Sequence, residues 1–152
     1  MSSSLQFTHV ADAQARLVVA NALFYGIGGG RNSSLVVPRV TYTSPEVAHV
    51  GLTVGDAESK GISIETVRVE LQHNDRARLD GSTDGFLAIH LKRGTDTILG
   101  GTLVADPAGE MIGELAVAIR HRGGRNALGS TIHPYPPPSE GDRKTAGLLL
   151  LH

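Results

Sequence analysis

The sequence predicts an α+β domain in which an antiparallel β-sheet is covered by helices. Three observations predict it. β-rich runs stand at 35–42, 47–52, 62–71, 86–92 and 98–105, separated by turn residues. Two of those runs flank the connection Arg93-Gly94-Thr95-Asp96, the signature of a β-hairpin. Segments of helical spacing precede, interrupt and follow the strands, so the elements do not alternate as parallel βαβ units do.

The opening helix starts at Thr8. Val10, Ala13, Leu17, Val18, Asn21 and Phe24 recur at three and four residues, as one helix face does, with Thr8 placed to cap and Asp12 in the first turn. The helix runs into Gly26-Ile27-Gly28-Gly29-Gly30. A dinucleotide fingerprint needs a strand before it, a helix after it and a glycine where Arg31 stands, so these glycines read as a C-cap and link. This helix and link form one portion, 1–30, and residues 31–152 the main domain.

Leu35 to Tyr42 is β-rich, with Pro38 marking an edge or strand entry. Thr43-Ser44-Pro45-Glu46 is a turn and Val47 to Leu52 a second strand. Thr53 and Asp56 have the spacing of a capping box for a short helix, Val54 to Lys60, closed by Gly61. Ile62 and Ile64 share one strand face while Val67, Val69 and Leu71 take the other, which predicts a bulge between Ile64 and Val67. Asn74 to Asp80 reads as a solvated turn or a single helical turn. In the hairpin that follows, Gly100 and Gly101 leave room for a helix or a second backbone.

The strongest helix comes next. Asp106 is its cap and Pro107 its first residue, Met111, Ile112, Leu115, Ala118 and Ile119 form the apolar stripe, and Gly123-Gly124 stops it after Arg120-His121-Arg122. A shorter helical piece spans Asn126 to Leu128, and a last helix opens at Ser139 and runs to about Leu150. Between them, Ser130 to Glu140 holds four of the chain's 7 prolines, which impose a rigid, irregular path on His133, Tyr135 and Glu140.

Composition removes several classes of function. Fourteen basic residues against 15 acidic give a net charge of −1, which calls for neither nucleic acid nor an anionic membrane. With 0 cysteines there is no thiolate nucleophile and no cysteine zinc site, and the 7 histidines form no His-Glu-x-x-His pattern, so no metal site is expected. The N-terminus lacks a signal-peptide pattern and no apolar run is long enough to span a bilayer, so the expectation is a cytoplasmic protein.

Val37-Pro38-Arg39-Val40-Thr41-Tyr42-Thr43-Ser44-Pro45-Glu46-Val47-Ala48-His49-Val50-Gly51, then Gly100 to Val104 ahead of Ala108-Gly109-Glu110-Met111-Ile112, then Thr131-Ile132-His133-Pro134-Tyr135-Pro136 ahead of Ser139-Glu140, form a joint signature. It resembles the C-terminal dimerisation domain of the FAD-dependent pyridine nucleotide-disulfide oxidoreductases, and most closely their mercuric-reductase-like members. The resemblance covers about Phe7 to Gly147.

That resemblance implies a homodimer in which Tyr135 and Glu140 enter the partner's active site as catalytic residues. Tyr135 stands where most members have histidine, and His133 is offered as a substitute base. Phe7 to Ala11 is similar to the segment that ends the family's FAD domain, which makes Thr8, His9 and Val10 flavin neighbours; Pro136 is added by the same likeness, with Tyr135-Pro136 as a cis peptide. The chain lacks the family's FAD and NAD(P) domains and its cysteine pair. Isolated, it is therefore expected to be inactive and not to bind FAD. The competing reading is a non-catalytic dimeric scaffold that has lost its redox partner domains.

Overall fold

The computed structural model describes residues 7–24, 30–31 and 35–133, and the chain falls into two compact units, residues 1–37 and 38–152. The first unit holds helix α1, Thr8–Leu23. Its cap is Phe7 rather than Thr8, and no side chain caps it. Thr8 is already helical because Phe7 has the extended backbone of a cap residue and its carbonyl accepts the Val10 and Ala11 amides at 3.1 and 3.0 Å. The expected apolar face is present but little of it is buried: Val10 is 3% exposed, whereas Val18 and Phe24 are 66% and 60% exposed.

The second unit is built on a five-stranded sheet ordered β1-β2-β5-β4-β3, with β1 at Arg39–Thr41, β2 at Glu46–Gly51, β3 at Ile64–Glu70, β4 at Phe86–Lys92 and β5 at Ile98–Ala105. Every pairing is antiparallel. The strand expected over 35–42 shortens to β1. Pro38 has no N–H to donate, so the ladder begins only at Arg39, opposite His49.

The bulge expected between Ile64 and Val67 is absent. β3 pairs with β4 in unbroken register from Ile64 opposite Lys92 to Glu70 opposite Phe86. The irregularity lies instead between β4 and β5, where His90 faces Gly100 but Leu91 faces Ile98. Leu99 is the extra residue, and its carbonyl accepts the Leu52 amide at 2.9 Å. Both glycine expectations hold here. A Cβ on Gly100 would collide with the Leu52 carbonyl, and one on Gly101 would stand 2.6 Å from Leu115 Cδ1.

Register sorts the side chains into two faces. Val69, Leu87, Leu103 and Ala48 stand in one cross-strand row and Val67, Ile89, Gly101 and Val50 in the next. Helix α4, Ala108–Arg120, lies on the β2 and β5 part of these rows, with Ala108, Met111, Ile112 and Leu115 buried. Leu87, Ile89, Leu103, Ile112 and Leu115 are each 2% exposed or less, and this layer is the core.

The cap of α4 differs from expectation. The cap residue is Pro107, and the Asp106 carboxylate instead accepts the Glu46 amide at 3.1 Å and the Ser44 hydroxyl at 3.4 Å. The Gly109 amide in the first turn donates to Glu46 Oε2 at 2.8 Å. At its far end the left-handed residue is Arg122, at φ 55°, not a glycine; the Gly123 amide closes the turn onto the Ala118 carbonyl at 2.7 Å.

The short helices complete the unit. α2, Val54–Ser59, carries the expected capping box, with Thr53 and Asp56 bonded reciprocally. α3, Asp75–Asp80, follows a 3-10 turn at Leu71–His73 and is capped by Asn74, whose side chain accepts the Ala77 amide at 2.9 Å. Asn74 is 1% exposed, so the charged run hides one buried amide where only solvated residues were expected. α5, Arg125–Ser130, follows α4. The helix expected from Ser139 lies outside the described residues. Among those described, no helix is long and apolar enough to cross a membrane.

Candidate functional site

Of the expected catalytic residues, His133 lies within the described chain, while Tyr135, Glu140 and the flavin candidate Pro136 lie outside it. His133 ends a short segment folded back on α5. The Thr131 amide donates to the Leu128 carbonyl at 3.2 Å, and the Thr131 and Ser130 hydroxyls donate to the Ala127 carbonyl at 2.9 and 3.0 Å. Ile132 turns outward, 95% exposed. His133 is held on both ring nitrogens: Nδ1 faces the Thr131 carbonyl at 3.0 Å, and Nε2 lies 2.6 Å from Glu114 Oε1 on α4. The two side chains are only 10% and 26% exposed.

The flavin candidates Thr8, His9 and Val10 form the first turn of α1. The His9 ring stacks on Phe7 with centroids 5.3 Å apart and planes 10° from parallel. No acidic residue stands in that turn, so the positive end of the helix dipole is not offset by a carboxylate there.

Sequence reasoning missed a polar network on the sheet face opposite α4. His90 Nδ1 lies 2.9 Å from the Thr66 hydroxyl, and His49 Nδ1 lies 2.9 Å from the Thr102 hydroxyl. His49 Nε2 faces the Gly51 carbonyl at 3.1 Å, so Nε2 carries the hydrogen and Nδ1 of the neutral ring accepts from Thr102. The two rings are 6.5 Å apart. Burial pushes His90 below the usual imidazole range, and nearby His49 adds to the effect. Burial also lowers His49, with Arg39 acting the same way and the Gly51 carbonyl and Asp56 opposing. Strand alternation around His49 and His90 was the available signal. Glu114 gave a weaker one, since apolar spacing alone does not draw attention to a polar position on α4. Among the described residues no cluster of three or more His, Cys, Asp or Glu could hold a metal ion.

Residues 37–146 match the family described as pyridine nucleotide-disulphide oxidoreductase, dimerisation domain. The chain belongs to this dimerisation-domain family. Its fold is that of the family: RclA, the HOCl-induced flavoprotein disulfide reductase of Escherichia coli, superposes with a TM-score of 0.85 at 26% identity, covering 96% of this chain and 33% of RclA. LpdA of Mycobacterium tuberculosis superposes at 0.83 with 29% identity over 97% of this chain and 32% of LpdA. In sequence, this dimerisation domain is 31% identical over 148 residues to an NAD(P)H dehydrogenase (quinone) of M. tuberculosis, which is 97% of the chain and 30% of that enzyme. It is 33% identical over 136 residues to the dihydrolipoyl dehydrogenase of Bacillus subtilis, 90% of the chain and 28% of that enzyme. The chain thus spans about a third of the length of such relatives.

Proposed function

We propose that this chain is the homodimerisation domain of a flavin-dependent, mercuric-reductase-like oxidoreductase, and that it supplies Tyr135 and Glu140 to the partner's active site. The supporting observation is Gly113. It sits inside α4 on the exposed side, and a Cβ there would meet nothing within 4 Å. A glycine in a helix interior costs about 1 kcal/mol relative to alanine, and no close contact within the described chain requires it. Close approach of a partner's backbone would account for it. Val117, one turn further on, is 61% exposed, an apolar neighbour for such a contact.

In this reading residues 1–30 correspond to the end of an FAD domain and residues 31–152 to the interface domain. The first turn of α1 suits the electron-rich edge of a reduced flavin, since it lacks both a side-chain cap and an acidic residue. Thr8, His9 and Val10 would stand beside the flavin and Pro136 would add to its surroundings; the flavin, when bound in the whole enzyme, supplies the electron transfer. The phenol of Tyr135 suits orienting a thiol or metal-bound group better than shuttling protons near neutrality. The cytoplasm is the proposed location.

Sedimentation equilibrium tests the reading. The chain should associate into dimers, and Val117→Asp should shift it to monomer. Monomer at every concentration would overturn it. The second reading, a dimeric scaffold without redox chemistry, draws on the 0 cysteines of the chain. Under it, joining the chain to flavin and nicotinamide domains yields dimers whose turnover is indifferent to Tyr135→Phe.

A further inference from the structure

We propose that Glu114 is a positioning residue that clamps His133, and that His133 anchors the start of the proline-rich segment instead of serving as its proton acceptor. The geometry of the ring carries this. Nδ1 faces the Thr131 carbonyl, which only accepts, so Nδ1 bears a hydrogen. Nε2 faces a carboxyl oxygen at 2.6 Å, a short contact of the kind made when one or both partners of a hydrogen bond are charged. The proton between them belongs to the ring or to the carboxyl group. In either arrangement Nε2 has no lone pair open to another partner, whereas a general base needs one aimed at its substrate.

The rest of the segment is built to hold that ring in place. Thr131, whose carbonyl receives Nδ1, is itself fixed through its amide and hydroxyl to the Leu128 and Ala127 carbonyls of α5. The clamp therefore ties the end of α5 to the middle of α4, next to Gly113. Tyr135 follows two residues after His133 in the sequence. A role in presenting Tyr135 to a partner rests on the function proposed above; the clamp itself does not.

The test compares the full chain with Glu114→Gln, His133→Gln and the double variant by amide hydrogen exchange at 131–133, together with ¹⁵N spectra of the imidazole. A charged hydrogen bond is worth about tenfold or more in local opening, so each single variant should speed exchange by at least about tenfold and the double no more than the faster single. The wild-type ring should show both nitrogens hydrogen-bonded, with Nε2 alone altered in Glu114→Gln. Exchange unchanged in the single variants, or effects that multiply in the double, would overturn the clamp. So would a wild-type spectrum with a bare Nε2, which decides the matter even if a variant does not fold. Sedimentation of the same samples separates this outcome from the dimer question.

Discussion

Glu46, at the start of β2, caps helix α4 by accepting the Gly109 amide, while its own amide is bound by Asp106, the residue that follows β5. The helix cap and the β2–β5 pairing are thus one structural unit across 63 residues of sequence. Glu46→Ala leaves the first turn of α4 without that acceptor. It should cost about 1–2 kcal/mol, read as a lower urea midpoint, with Glu46→Gln recovering part of the loss.

Two glycines in view of α4 should respond oppositely to alanine. At Gly101 the new methyl meets Leu115 Cδ1 at 2.6 Å, and Leu115, at 0% exposure, must shift within a packed core. The expected loss is about 1–3 kcal/mol. Gly113→Ala should instead raise the stability of the monomer by about 1 kcal/mol while weakening self-association. Thermal melts at low concentration and sedimentation at high concentration separate the two effects.

The two sheet-face histidines set an acid-side slope. His49 and His90 both titrate below their ordinary 6.5 when folded. As pH falls below that value, the unfolded chain takes up protons that the folded chain refuses, so these groups lower stability on the acid side and are indifferent above it. His90→Gln should flatten the fall in urea midpoint between about pH 7 and about pH 5 relative to the parent protein. An unchanged slope would count against the buried neutral ring.

The capping box of α2 has the opposite sense. Hydrogen bonds from Thr53 hold the Asp56 carboxyl below its ordinary 3.8, so its contribution is present above that value and lost as pH falls through the depressed one. The protection of α2 amides relative to their intrinsic exchange should fall on strong acidification, and Thr53→Ala should lower it already at neutral pH.

Much of the fold was legible because it rests on local rules. The hairpin around Arg93 to Asp96 and the Thr53 box follow from residues near one another in sequence, and the glycines at 100 and 101 announce a close approach by residue type alone. What was missed depends on distant partners. Asp106 has the spacing of a helix cap, yet β2 lies close enough to claim its carboxylate and return Glu46 in exchange. The phase change after Ile64 suggested a bulge in β3, but the extra residue, Leu99, sits in β5, where the Leu52 amide meets its carbonyl. At the candidate site, the proline-rich run was visible by composition. Glu114 was not, since its partner His133 lies 19 residues further along the chain.

The order β1-β2-β5-β4-β3 places β2 beside a strand that begins only at Ile98. During synthesis β2 must therefore wait, unpaired on its central side, while β3 and β4 emerge as neighbours in sequence. The nascent chain should resist protease over 64–105 before it does over 39–51, and a ribosome stalled ahead of β5 should present β2 as an open edge for chaperones to shield.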